Sequence, residues 1–238
     1  LRQGEYAPQA VLDAARQNAL QEHAQTLAYM ERDLADGVAE AVFQDTAIFR
    51  GGFPELTDRL AGLLDDTDFG EGFKGCRDRL IIEMFYATGM RLSELIGLDD
   101  KDVDFSASLV KVTGKRNKQR LIPFDEELGR SMREYVNVRN EAVPVRSDAF
   151  FVRKNGKRLY RGIVACLVKR NLSKVVTVKK RSPHVLRHTF ATAMLNNGAD
   201  LGSIKELLGH ESLATTEVYT HTTFEELKKV YNQAHPRA

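Results

Sequence analysis

Six side chains in this chain of 238 residues have types and an order that suit one reaction, displacement at a phosphodiester by a tyrosine hydroxyl. Arg91 lies in Ala87-Thr88-Gly89-Met90-Arg91-Leu92-Ser93-Glu94-Leu95, and Lys115 in Gly114-Lys115-Arg116-Asn117-Lys118. His184 and Arg187 share His184-Val185-Leu186-Arg187-His188. His210 closes Leu208-Gly209-His210, and Tyr219 sits in Thr216-Glu217-Val218-Tyr219-Thr220-His221. A guanidinium offers a planar fork to two phosphate oxygens. An imidazole exchanges a proton near neutral pH, and an activated hydroxyl can form a covalent intermediate.

Taken singly, each residue has a plainer reading. Arg91 and Glu94 are three apart, which on a helix puts them on one face; alone they would be a surface ion pair worth little. His184 and Arg187 repeat that spacing behind Pro183, near a helix start that favours anions. His184 and His188 have the spacing of a metal-binding pair, but no third ligand is evident and a metal site is rejected. His188 reads as a structural histidine satisfied by a neighbouring carbonyl. Lys115 stands at a hairpin tip, where an ammonium can reach a leaving oxygen, while Arg116, Lys118 and Arg120 read as generic DNA-backbone contacts. His210 alone would be a cap or a core histidine. Tyr219 is one of seven tyrosines and stands out only through its surroundings.

Composition bounds the answer. At 42% hydrophobic the chain can bury a sizeable core as one large domain or two small ones. Cys76 and Cys166 are far apart with no CxxC partner, so no disulfide framework or zinc site is indicated, and a reducing cytoplasm fits. No apolar run of about 18 residues predicts a transmembrane helix, and no signal peptide is visible at the N-terminus. Residues 1–70 hold five Lys/Arg against thirteen Asp/Glu, a balance of −8 that leaves +10 of the total +2 for residues 71–238. That asymmetry points the later part of the chain at a polyanion.

The elements that must position these residues follow from periodicity. Residues 10–48 read as helix on the stripe Leu20, Leu27, Leu34, broken at Gly51-Gly52-Phe53-Pro54. Helices are expected over 55–65 and 76–88, with a new one opening near Arg91. Val103 and Phe105 suggest a short strand, and Leu109–Val112 with Arg120–Pro123 a hairpin. Asp125 reads as the N-cap of a helix to about Asn140. Phe150–Val152, turned at Asn155-Gly156, suggests a further extended pair. Helices follow over 161–172, 184–197 and 201–208, then one holding Tyr219 and a last one from Thr223. The expected class is mainly α with a small antiparallel β-sheet (α+β).

The ordered set of motifs resembles the tyrosine recombinases, most closely the bacterial Xer type. The resemblance spans roughly residues 54–238 and includes the tail Ala234-His235-Pro236-Arg237-Ala238. It implies the tyrosine recombinase catalytic-domain fold over 51–238. It also implies roles: Arg91 and Arg187 clamp the scissile phosphate, His184 helps move the tyrosine proton, and His210 donates to the phosphate. Lys115 would protonate the departing 5′ oxygen, Tyr219 would attack, and Glu94 would buttress Arg91. Tyr231 is the next nucleophile should Tyr219 fail. No cofactor and no metal are implied.

The resemblance further implies a double-stranded DNA recombination site and a tetramer of identical or paralogous recombinase subunits. The helix from Phe224 would dock on a neighbouring subunit through Val230 and Tyr231, the alternative being that it packs on its own domain. Chromosome dimer resolution in a nucleoid-associated, cytoplasmic setting, regulated by a cell-division DNA translocase, completes that picture. Phage or transposon integrases, a type IB topoisomerase-like nicking-closing enzyme and a non-catalytic DNA-binding module are the alternatives. One departure stands out: residues 1–50 are acidic where the family carries an N-terminal DNA-clamping domain, and a negative segment is a poor partner for phosphate. They are read as a reduced or truncated clamp.

Overall fold

The computed structural model describes residues 53–114, 117–145, 147–175, 182–209 and 221–236. The expected helix over 10–48, the break at Gly51-Gly52 and the helix holding Tyr219 lie outside the described residues. Eight helices are described: α1 (Phe53–Asp66), α2 (Gly72–Thr88), α3 (Leu92–Gly97), α4 (Glu126–Ala142), α5 (Arg161–Val175), α6 (Pro183–Asn196), α7 (Leu201–Leu208) and α8 (His221–Ala234). The strands β1 (Val103–Asp104), β2 (Leu109–Thr113) and β3 (Gln119–Pro123) form an antiparallel sheet in the order β1-β2-β3. Mainly α with a small antiparallel sheet is therefore the class, as the sequence predicts. Among the described residues no helix is long and apolar enough to cross a membrane.

The central element is α2. Leu80, Ile81, Ile82, Met84, Phe85, Tyr86 and Ala87 are all buried, so the helix is apolar on every side and others surround it. It packs against α4 on one side and α6 on the other. The sheet turns Val110, Val112 and Ile122 into the same core, with Val110 opposite Ile122 and Thr113 opposite Gln119. Asp125 caps α4 by accepting from the Leu128 N–H at 2.7 Å, as its position in the sequence predicts. Phe105 falls in the turn after β1 rather than in a strand. The extended pair expected around Asn155-Gly156 reduces to a single bridge, Val152 to Arg158. Arg158 instead donates to the carbonyls of Ile96 and Leu98, both at 2.8 Å, and pairs with Asp99, closing the end of α3.

The C-terminal helix packs against its own domain. Leu227, Tyr231 and Ala234 are buried, and Tyr231 stacks on His235 with centroids 5.0 Å apart and an 8° interplanar angle. His235 meets Tyr86 edge-on and lies 5.8 Å from Phe190, so the tail is keyed between α2 and α6. Tyr231 is thus a core residue and offers no free surface to a neighbour.

Gly89 ends α2 in the left-handed conformation, φ 57°, with its N–H on the Phe85 carbonyl at 3.1 Å. A Cβ there would lie 2.5 Å from a Phe190 ring carbon. Gly89→Ala combines backbone strain with a clash and is expected to cost about 2–4 kcal/mol. The measurement is a lower urea midpoint at unchanged slope. A loss below about 0.5 kcal/mol would mean that α2 and α6 part easily at this point.

Candidate anion-binding site

The site forms where the C-terminal ends of α2 and α7 meet the starts of α3 and α6. Arg91 is not inside a helix, as its spacing suggested, but is the extended N-cap of α3, φ −77° and ψ 152°. Glu94, one turn in, reaches back to accept the Arg91 backbone N–H at 2.7 Å and its Nη1 at 3.0 Å. The same carboxylate, fully buried, accepts both ends of the Arg120 fork, at 2.6 and 2.9 Å. Arg187, on the second turn of α6, is buried beneath them.

The acceptors for these arginines are main-chain carbonyls. A helix end leaves its last carbonyls without partners and carries the negative end of the dipole. At the end of α7, the Gly209 N–H serves the carbonyls of Lys205 and Glu206. The Leu207 carbonyl takes Arg120 Nε at 2.8 Å, Leu208 takes Arg187 Nη2 at 2.7 Å, and Gly209 takes Arg91 Nη2 at 3.2 Å. Arg187 Nη1 donates to the Gly89 carbonyl at 2.6 Å. Three consecutive carbonyls therefore each hold a different guanidinium.

Among the described residues, Glu94 bonds Arg91 and Arg120 and acts on Arg187 by charge alone, so one carboxylate faces three guanidiniums and positive charge is in excess. Burial pushes the Glu94 carboxyl up, but hydrogen bonds and charge from Arg120 and Arg91 outweigh this and hold it at about 2. Burial lowers Arg187 well below its ordinary range, and the charges of Arg91 and Arg120 act in the same direction. His184, on the first turn of α6, is lowered by desolvation and by Arg187, Arg161 and Arg91, which favours its neutral form at pH 7. Arg91 keeps 35% of its side chain in solvent, so the excess charge has an open side. Such a cluster attracts an anion that can accept from a fork. No group of three His, Cys, Asp or Glu among the described residues could hold a metal ion.

Over residues 59–226 the sequence matches the phage integrase family. The chain belongs to that family. Tyrosine recombinase XerC of Chlorobaculum parvum is 47% identical over 172 residues, 70% of this chain and 51% of that protein. Tyrosine recombinase XerC of Corynebacterium glutamicum is 40% identical over 194 residues, 78% of this chain and 62% of its own length. The chain thus spans about half the length of the first of these relatives. Among solved structures, XerA recombinase aligns with TM-score 0.57 at 31% identity, over 77% of this chain and 64% of that one. XerH site-specific recombinase bound to difH substrate, a pre-cleavage complex, aligns with TM-score 0.60 at 25% identity, over 75% and 48%.

Within this phage integrase family domain, Arg91, Glu94 and Arg187 gather in one cluster, and His184 stands one turn before Arg187 on α6, within reach of the charges of Arg187 and Arg91. Lys115, Arg116, His210 and Tyr219 lie outside the described residues. Lys118 is exposed beside the hairpin tip, where its carbonyl accepts the Gly114 N–H at 2.7 Å. Arg120 corrects the reading of it as a DNA-backbone contact: it is 7% exposed and its fork is committed inward. The signal was the strand period, because Arg120 shares a face with buried Ile122. Tyr231 is corrected too, since its hydroxyl is sealed in the core and its pKa is driven up by burial.

The linkage has a definite sign. Glu94 has a folded pKa of about 2, below the unfolded value of about 4.3. Its stabilising contribution is complete above the unfolded value and is lost as pH falls from about 4 towards 2. Glu94→Gln leaves buried Arg120 without a counter-charge and should cost about 3–5 kcal/mol at pH 7. In urea titrations, that gap between wild type and variant should narrow below pH 4. A gap constant down to pH 2.5 would sink the assignment of a buried ionised carboxylate.

Proposed function

We propose that this protein is a site-specific DNA recombinase of the Xer type, cleaving and rejoining DNA through a 3′-phosphotyrosyl intermediate. The observation that carries the proposal is the excess positive charge of Arg91, Arg120 and Arg187 around Glu94, open to solvent at Arg91. Arg91 and Arg187 bind the non-bridging oxygens of the scissile phosphate and neutralise charge that grows in the transition state. The Tyr219 oxygen attacks phosphorus and the bond to the 5′ oxygen breaks. His184, in its neutral form, helps take the tyrosine proton, Lys115 gives a proton to the leaving 5′ oxygen, and His210 donates to the phosphate. A 5′ hydroxyl from a second strand reverses the step, so bond energy is conserved without a nucleotide cofactor or metal.

The substrate is a double-stranded recombination site, held in part by Arg116 and Lys118. Identical or paralogous subunits form a tetramer on two such sites. The XerC relatives favour chromosome dimer resolution in a cytoplasmic, nucleoid-associated setting, with a cell-division DNA translocase as regulator. In this reading residues 51–238 are the catalytic domain.

Tyr219→Phe should abolish a denaturation-resistant adduct on a nicked duplex carrying a Xer-type core site, while duplex affinity stays within about twofold. Mass spectrometry of the wild-type adduct maps the attached residue. An adduct that persists in the variant would move the nucleophile, and Tyr160, 56% exposed, is the described tyrosine that could then serve.

A further inference from the structure

We infer that Arg120 is a positioning residue for the phosphate clamp, locking Glu94 and the end of α7 so that Arg91 and Arg187 present one preset anion site. The inference deepens the recombinase reading and rests on it. Arg120 does not itself touch substrate, because its Nη1, Nη2 and Nε are all committed to Glu94 and the Leu207 carbonyl.

Its fork is divided between two elements, α3 and the end of α7, that are otherwise bridged through Arg91 and the Gly209 carbonyl at 3.2 Å. Nη1 and Nη2 grip the Glu94 oxygens at 2.6 and 2.9 Å, and Nε holds the Leu207 carbonyl at 2.8 Å. Glu94 in turn holds Arg91 through its backbone and its side chain. The next two carbonyls of the α7 end hold Arg187 and Arg91. Arg91 is therefore one hydrogen bond from Glu94, and Arg187 is held by the carbonyl next to the one that Arg120 holds.

The fit leaves no slack. Gly209, φ 67°, lies against the guanidinium so closely that a Cβ would come 3.0 to 3.2 Å from Arg120 Cδ, Nη1 and Nε. Arg120 also belongs to the hairpin: it follows Gln119, whose partner Thr113 leads into Gly114 and Lys115. Strand β3 of the hairpin, Glu94 on α3 and the end of α7 are thus tied through one side chain. A lysine could not replace it, since a point charge cannot bridge two carboxylate oxygens and a carbonyl in one plane.

The test compares the full-length chain with R120K, R120M and E94Q/R120M. Single-turnover cleavage of the nicked Xer-type duplex, duplex affinity and thermal unfolding are measured from pH 5 to 8. R120K and R120M should bind the duplex within about twofold of wild type yet cleave about 10-fold and 100-fold more slowly at pH 7.5. Without its fork, the buried Glu94 carboxylate keeps Arg91 and Arg187 as its described cationic neighbours and protonates more readily. R120M should therefore gain an acid limb, its rate falling from pH 7 to 5 more steeply than that of wild type, and E94Q/R120M should lose that limb.

Weakened duplex binding with an unchanged cleavage rate in the bound complex would overturn the inference and make Arg120 a DNA contact. A rate loss equal in R120K and R120M with no acid limb would reduce it to a general folding role and also overturn it. Failure of the wild type itself to form an adduct at Tyr219 would overturn the recombinase reading and this inference together. Normal wild-type cleavage with unaffected variants would overturn the inference alone.

Discussion

The structure depends on keeping three guanidiniums together around a single carboxylate. Like charges that close repel, and burial removes the water that would screen them. Two features oppose this. Glu94 is fully buried and binds two of the three forks, so its charge acts at short range and without competition from solvent. The end of α7 then supplies three successive carbonyls at the negative end of a helix dipole, one to each arginine. Arginine is suited to such a place because it stays charged and is weakly hydrated. Among the described residues the cluster still carries more positive than negative charge, which suits it to an anion. Donors fixed in advance in this way lose little by reorganising when negative charge develops on a substrate.

Much of the fold can be read from the chain because its signals are local. The apolar run Leu80–Phe85, the Asp125 cap, the Pro183 start and the Gly209 stop each act within one or two turns. The misreadings share a physical cause. Phe150–Phe151 looked like a strand because aromatic runs favour sheets, yet these rings pack with Tyr135 instead, and only one bridge forms. Arg120 looked like a surface cation because charge is normally solvated. Its destination is set by Glu94, 26 residues earlier, and by a carbonyl 87 residues later. Sequence spacing carries no trace of a backbone acceptor, so the role of the Leu207–Gly209 carbonyls was invisible even though their motif had been noticed for His210.

Arg91 and Glu94 show how a right association can arise from the wrong geometry. Their separation of three residues suggested neighbours on a helix face. The pair forms because Arg91 stands outside the helix, extended, and Glu94 folds back over the first turn to accept its N–H. That arrangement aims the guanidinium away from α3 and towards the end of α7, which a side chain on the helix face would not do. The tail behaves similarly. His235 was noticed as part of a terminal motif, and its ring is buried among Tyr86, Phe190 and Tyr231, where it fastens α8 against α2 and α6.

The two left-handed glycines explain why the cluster can be so close. Gly89 ends α2 and Gly209 ends α7, and each turns its carbonyl towards an arginine, Arg187 and Arg91 respectively. Any side chain at Gly89 would press on Phe190, and any at Gly209 on Arg120. The chain reverses sharply at both points because φ is positive there, and the reversal is what exposes the last carbonyls of each helix to a side chain instead of to the next turn. The helix ends and the arginines thus complete one another: the Gly89, Leu207, Leu208 and Gly209 carbonyls each accept from a guanidinium. Local backbone geometry, rather than the charged residues alone, is what allows positive charge to collect here.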